Sequence, residues 1–490
     1  MASKFLRFFS PFVRVMPEIK QPAREVSFKE KLIWTVVVLI IYIVMSQIPL
    51  YGVQLEETAD YFYWLRVILA SQRGSLTELG IGPIVTSGLI MQLLLGSKII
   101  NIDMSNPYDR AMFSGAQKVL AVFLTIFNIM AYLIGGAFGD LSQVGIINAT
   151  FIFLQLFLSG LIIILLDEIL QKGWGMGSGV SLFIAAGVAG QIFWNAFGFI
   201  PAADPGQFRG IVIAFFSVLF DGDPGTGLED LFIRTNQYPS ILGGITTLII
   251  FFIVIWFEST RVEIPLQYSG QRGFKSKYPM KLLYVSNIPV ILVNALYANM
   301  LFLGQLIAGP NSALRGNPVI NVWLNFIGIF SPAESGGQAG TYYEPTWGLM
   351  WFLSPPRSIN DLLLNPFKGI VYLFIFIFLC VMLGRVWVEV SGLAPRDVAG
   401  QIIDSGMQIP GFRSSEKIIE RILKRYIPTL VVINGIIIAV LSFFADSLGA
   451  LTSGTGLLIA MGITHQYAET ISKEFAAAQY PGLRGLLGMD

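Results

Sequence analysis

The chain has 490 residues, of which 54% are hydrophobic and only 13% charged. Soluble globular chains carry roughly 25% charged residues, so many apolar runs of near-spanning length define a polytopic membrane protein instead. The net charge of +1 says little by itself; one cysteine, Cys380, excludes an internal disulfide, and one histidine, His465, cannot build a metal site alone.

The N-terminal stretch MASKFLRFFSPFVRVMPEIKQPAREVSFKEK mixes charge and proline with no apolar core of signal-peptide length. It reads as an interfacial, partly amphipathic segment. Ten spans follow, at 32–50, 80–98, 112–136, 146–168, 178–200, 240–257, 284–308, 367–388, 427–446 and 450–472. Three other apolar pieces, 61–70, 211–220 and 318–330, are too short or too polar to cross. The second span opens on Gly80, Gly82 and Pro83, residues ill suited to a helix interior, directly after the half-length YFYWLRVILA at 61–70. Cys380 sits within VYLFIFIFLCVML and reads as a buried thiol.

Basic residues set orientation. Lys4, Arg7, Arg14, Lys20, Arg24, Lys29 and Lys31 precede the first span, and an inside N-terminus places most of the 32 Lys and Arg on one side. Ten spans return the C-terminus to that side. The outer loops 201–239 and 309–366 are rich in Gly, Pro and acid. Two inner loops are long and basic. RVEIPLQYSGQRGFKSKYPMKLLY (261–284) begins with period-2 alternation, Val262, Ile264, Leu266 and Tyr268 against Glu263, Pro265 and Gln267. That is an edge-strand pattern, and Ser269, Gly270 and Gly273 supply turns, so a β-hairpin-like finger is expected. The second, 391–426, contains helix-like stretches, the last capped by Ser414 or Ser415. Retention of positive charge accounts for both loops in part. Their length, far beyond the 2–8 residues a helix connection needs, points also to a docking surface.

Motifs for chemistry are missing. GWGMGSG (173–179) has neither a following GK[ST] nor a dinucleotide-binding frame, and reads as a turn. No catalytic constellation, metal set or cofactor motif is found. Asp167, Glu168, Glu258, Arg385 and Glu389 all fall near inner ends of spans, whose middles are essentially uncharged. Ion-coupled transporters need ionisable groups there. Ile81 and Val85, and Val180 and Ile184, sit four apart on single helix faces; by spacing alone they are packing or lipid-facing residues. Thr86, Gln117 and Asn287 are neutral polar residues whose default role is interhelical hydrogen bonding.

The motifs LGIGPIVTSGLIMQLL (79–94), AQKVL (116–120), LDEIL (166–170), SLFIAAGV (181–188), RVEIPL (261–266), KYPMKLLYVSNIPVIL (277–292) and GFR (411–413) carry a specific resemblance. From FKEKLIWT (28–35) to GTGLLIAMGI (454–463) the chain resembles SecY, the central subunit of the protein-conducting channel, in its archaeal and eukaryotic branch. The resemblance implies an all-α fold of two five-span halves in inverted relation around a pore. It implies a plug at about 60–73, with Tyr61, Phe62, Trp64, Leu65, Arg66, Ile68 and Leu69. The Gly/Pro break then makes sense, because irregular backbone is tolerated where it lines a cavity within protein. The aliphatic pairs become part of a pore ring of Ile81, Val85, Val180, Ile184, Ile291 and Ile459, and Thr86, Gln117 and Asn287 become a polar cluster on a lateral gate. A narrow apolar ring excludes ions by dewetting yet can widen around a threaded chain.

The resemblance further implies docking of a ribosome and targeting receptor through Arg272, Lys275, Lys277, Arg413 and Lys417. It implies partnership with small SecE-type (gamma) and beta-type membrane subunits, signal peptides, nascent polypeptides and lipid, in the plasma membrane with both termini cytoplasmic. The expected parts are an N-terminal segment 1–31, a first half 32–200, an outer hinge 201–239, a second half 240–472 with docking loops 259–283 and 391–426, and a tail 473–490. No enzymatic activity and no cofactor are expected. The rivals are a small-molecule secondary transporter with discontinuous helices, and an insertase or receptor without a pore.

Overall fold

In this computed structural model the described residues are 4–24, 26–53, 71–96, 99–100, 106–134, 137–138, 144–199, 208–221, 231–232, 234, 238–268, 275–309, 312, 315, 318–334, 341–356, 359–404, 407–408 and 416–479. A short amphipathic helix α1 (Lys4–Val15) leads to α2 (Phe28–Gln47), α3 (Gly82–Gly96), α4 (Pro107–Ile134), α5 (Ile146–Gln171) and α6 (Gly179–Phe197). After α7 (Ile211–Asp221) and α8 (Ile241–Ser259) come the hairpin strands β1 (Arg261–Tyr268) and β2 (Lys275–Lys281). Then follow α9 (Ile288–Ala308), α10 (Pro318–Ile327), β3 (Ile329–Glu334), β4 (Thr341–Trp347), α11 (Leu349–Leu353), α12 (Ile359–Leu364) and α13 (Pro366–Val390). The chain closes with α14 (Pro395–Asp404), the two-residue β5 (Met407–Gln408), α15 (Glu416–Ser447) and α16 (Gly454–Gln479).

All ten expected spans are helical: α2, α3, α4, α5, α6, α8, α9, α13, α15 and α16. Seven helices among the described residues are long and apolar enough to cross a membrane by themselves. Their starts follow local chemistry. Ser27 and Glu30 form a reciprocal capping box on α2, and Ser240 caps α8 through the amide of Gly243 at 3.0 Å. Pro366 opens α13, where its missing N–H costs nothing.

α3 is the exception in length. Its 15 residues reach only about 22 Å. The missing part is a run of turns from Gln72 to Ile81, in which Gly80 takes a φ of +51° that glycine adopts without strain. Buried polar groups satisfy this irregular backbone. Glu78 accepts from the amide of Gly74, and Ser75 and Thr77 share a hydrogen bond of 3.0 Å. Leu50 and Leu76 bond back to Gly74 and Ile48, so the turns pair with the chain leaving α2. Of the expected plug at 60–73, only residues 71–73 are described, and Tyr61, Phe62, Trp64, Leu65, Arg66, Ile68 and Leu69 lie outside. Most of the expected hinge 201–239 does too, although α7 lies within it.

The finger is a hairpin, with Val262 opposite Met280 and Ile264 opposite Tyr278. Ile264 and Met280 are buried against α14 and α15 in a second apolar core with Val398, Ile402, Ile419 and Leu423. The edge-strand expectation needs correction at one end. β5 pairs with β1 at Gln267 and Tyr268, so β1 is the middle strand of three there. That pairing starts beyond Pro265, which has no N–H to donate. It joins the two long loops into one structure.

α1 lies on α4. Gly115 makes this possible, because a Cβ there would stand 2.7 Å from Val13 Cγ1. The chain after α1 is strapped across the ends of α4 and α5. Lys118 Nζ donates to Glu168 at 2.6 Å and to the carbonyl of Pro17, Lys172 pairs with Glu18, and the Trp174 indole donates to Lys20 at 2.9 Å.

Candidate functional site

Four helices contribute the expected ring: α3 with the turn before it (Ile81, Val85), α6 (Val180, Ile184), α9 (Ile291) and α16 (Ile459). Ile81, Ile184 and Ile459 are buried, and Val85, Val180 and Ile291 are half-buried against the same large apolar core. α6 packs on α16, α16 on α9, and α9 on α3. Small residues set these approaches. At Gly456 a Cβ would come within 3.1 Å of Val188 on α6. At Gly462 it would overlap Asn287, at 1.7 Å from Nδ2. The Asn287 amide instead lies over the bare backbone of α16 and donates to the carbonyl of Leu458 at 3.0 Å.

Asn287 is therefore not part of the polar cluster expected with Thr86 and Gln117. The partner that meets Thr86 is Asn299, whose Nδ2 donates to Thr86 Oγ1 at 3.0 Å across the α3–α9 seam. Depth explains the difference. Asn299 stands twelve residues further along α9, about 18 Å at helical rise. Thr86 lies in the first turns of α3, and the two helices meet with Asn287 at the far end. Gln117 on α4 does face α3, with Nε2 3.1 Å from where a Cβ on Gly88 would be. The seam is closed further along by Tyr132 of α4 stacked on Phe302 of α9, ring centroids 5.9 Å apart, both buried.

A charged cluster ties the base of the finger to α8 and α16. Lys281, the last residue of β2, lies 3.1 Å from Glu469 of α16 and 3.8 Å from the buried Glu258 of α8. Arg261 reaches Glu469 at 3.3 Å. Glu258 also accepts from Ser286 Oγ at 2.8 Å. Ser286 holds a left-handed φ of +50°, the one non-glycine to do so among the described residues, and its carbonyl accepts from Asn434 of α15 at 3.2 Å. It immediately precedes Asn287 and α9. Groups from β1, β2, α8, α15 and α16 thus meet beside the start of α9.

Asp167, near the end of α5, accepts from Gln171 at 2.7 Å and from the amide of Val180 at 3.0 Å, and so holds the start of α6. Two charged groups at other span ends are not singled out by the sequence, because their partners come from other elements: Lys368, buried between Asp361 (3.6 Å) and the Trp351 ring, and Asp446, which accepts from the amide of Gly454 at 2.6 Å.

Of the expected docking residues, Lys277 pairs with Glu263 across the hairpin and Lys417 is exposed at the start of α15. Lys275 lies in β2, its side chain outside the described residues, as are Arg272 and Arg413 altogether. Each arginine follows the β1–β5 pairing by only a few residues of sequence.

Apolar helices of spanning length packed around one aliphatic core, with a neutral polar contact between α3 and α9, define a polytopic membrane protein. The family model SecY matches residues 75–468, and the model described as the plug domain of Sec61p matches residues 40–74. Among solved structures, one described as a protein conducting channel is 37% identical, covers 96% of this chain and 97% of its own, and superposes with a TM-score of 0.77. A SecY structure whose plug domain is described as stabilising the closed state is 36% identical, with 96% and 97% coverage and a TM-score of 0.75. Sec61 of the canine ribosome–channel complex from the endoplasmic reticulum is 36% identical at the same coverage, with a TM-score of 0.74. The chain belongs to the SecY family.

Proposed function

We propose that this chain is the pore-forming subunit of a protein-conducting channel, passing unfolded polypeptides across a membrane and releasing transmembrane segments into lipid between α3 and α9. The observation that carries this reading is that aliphatic residues of α3, α6, α9 and α16 share one core beside a neutral hydrogen bond between α3 and α9, Asn299 to Thr86. Aliphatic side chains make no directional bonds that a passing chain must break. A small-molecule transporter would instead place coordinating or ionisable groups at mid-membrane.

The domain limits given above are part of the proposal, with 60–73 sealing the outer half of the pore at rest and 201–239 linking the halves. So is a plasma-membrane location, and an orientation with both termini cytoplasmic that the charge asymmetry of the loops supports. Small gamma- and beta-type subunits, a ribosome and a targeting receptor are the proposed partners. The canine relative, described as part of a ribosome–channel complex, supports the ribosome. The joined basic loops would contact its RNA, since arginine binds phosphate with a planar fork.

Ion conductance in planar bilayers tests the waist. Single Ser or Gly replacements at Ile81, Val85, Val180, Ile184, Ile291 and Ile459, and one combined variant, should leak ions because smaller or polar rims wet readily. Wild-type conductance throughout would reject the ring.

A further inference from the structure

The connection between α9 and β3 contains a surface that the channel reading does not use. In α10 the residues Asn321, Leu324 and Asn325 share one helix face. Leu324 is buried, and both asparagines accept from Arg315 Nη1 at 3.1 Å. Arg315 also donates to the carbonyls of Ala308 and Gly309, at the end of α9, and of Gly328. One guanidinium thus fixes the rotation of α10 and ties it to the last turn of α9.

The opposite face is wholly apolar. Val319, Val322, Trp323 and Phe326 are 71, 70, 72 and 72% exposed. Their spacing is that of a single helical stripe. The ten residues PVINVWLNFI contain no charge, so nothing on the face selects a charged partner. A free interfacial helix turns its polar side to water. Here the polar side is turned inward onto Arg315, leaving the apolar side unmatched.

We infer that α10 is a membrane-surface anchor whose apolar face seats in the headgroup–acyl boundary of the leaflet at the end of the bundle opposite the finger. Position supports lipid as the occupant. Arg315 ties α10 to the end of α9, where a spanning helix must reach the bilayer boundary. Apolar residues are exposed on the neighbouring elements too: Leu303 and Ile307 near the end of α9, and Trp347 at the end of β4. Tryptophan favours that boundary because its ring is apolar and its N–H polar. On the proposed reading of α9 as a gate helix, the anchor sets the depth of the end about which it moves; the anchor itself does not depend on that reading.

The test uses the full chain in phosphatidylcholine vesicles whose acyl chains carry bromine near the carbonyl or near the chain terminus. Subtracting the emission of Trp323→Phe isolates this indole from the other tryptophans. Its emission should be quenched at least about twofold more by carbonyl-proximal bromine than by aqueous iodide, and less by terminal bromine. A Val322→Asn/Phe326→Asn variant, which keeps every Arg315 contact, should shift the balance toward iodide. Quenching of Trp323 chiefly by iodide would overturn the anchor, because the face would be in water. Shielding from every quencher would also overturn it, because a protein, such as a second copy, would cover the face. Should Trp323→Phe disturb folding, an environment-sensitive label on Val319→Cys reads the same quantity; Cys380 is buried and does not compete. Blue-shifted emission with shallow bromine quenching is expected, and water-like emission contradicts the anchor. None of these readouts depends on protein translocation.

Discussion

Asn299 and Thr86 join α9 to α3 by one hydrogen bond of 3.0 Å in the side of an otherwise apolar bundle. Neither residue carries charge, so the bond is strong enough to align the helices and weak enough to exchange. Interhelical bonds of this kind contribute about 0.6 kcal/mol in membranes, and typical protein hydrogen bonds about 0.5–1.5 kcal/mol. Thr86→Val or Asn299→Leu should therefore ease opening roughly three- to tenfold, letting weakly hydrophobic signal peptides through. Asn287→Leu should not reproduce this, since Asn287 bonds to Leu458 on α16. Translocation of a graded series of signal peptides measures the difference. Equal effects at 287 and 299 would contradict the assignment.

Gly462 and Asn287 form a matched pair, with a Cβ at 462 overlapping the Asn287 amide. Gly462→Ala should destabilise the chain by about 1–3 kcal/mol through overpacking. The same change in an Asn287→Ala background should cost clearly less, because the obstructing amide is gone. Thermal unfolding of the four proteins of this cycle gives the coupling. Additive losses would show that the two do not meet.

How much of this was legible in the sequence follows the range of the forces involved. The ten spans are legible because apolar length is a local property, and the break before Pro83 because glycine and proline act on their own backbone. The finger is legible from the alternation Val262, Ile264, Leu266. β5 is not, because two residues carry no period. Asn299 is not legible, because sequence gives no depth, and only the antiparallel packing of α3 on α9 fixes which asparagine meets Thr86. Gly462 has no signal at all until its partner from another helix is known. The stripe of α10 shows as a short apolar run, but Arg315 decides which face turns outward.

Glu18 has a pKa held below its ordinary value of 4.5, first by its hydrogen bond to Lys172 and then by that ammonium's charge. A lowered folded pKa means that the contact stabilises the strap above the unfolded value and is lost as pH falls through the folded one. The segment 17–24 should therefore loosen below about pH 4.5. Trp174, whose indole donates to Lys20, reports this by its emission. Glu18→Gln should remove that acid transition, and an unchanged transition in the variant would assign it elsewhere.

Arg272→Glu and Arg413→Glu should each weaken ribosome binding strongly, with the lysine variants intermediate because charge remains without the bidentate fork. Affinity should fall steeply with salt, as counterion release requires. Cosedimentation of correctly oriented protein at several salt concentrations checks this. Wild-type binding by both reversals would leave the basic loops with orientation as their role.

The central claim is that α3 and α9 part to let a polypeptide engage. Thr86→Cys with Asn299→Cys places two thiols at the seam, and the native Cys380 is buried and silent. Oxidation, or a short bifunctional maleimide, should lock the seam, and crosslinking is verified by gel mobility. Translocation of a signal-bearing substrate into vesicles is then measured before and after locking. The expected result is loss of translocation on oxidation and its return with reductant, while the single-cysteine variants stay active. Undiminished translocation through verified locked channels would contradict the account.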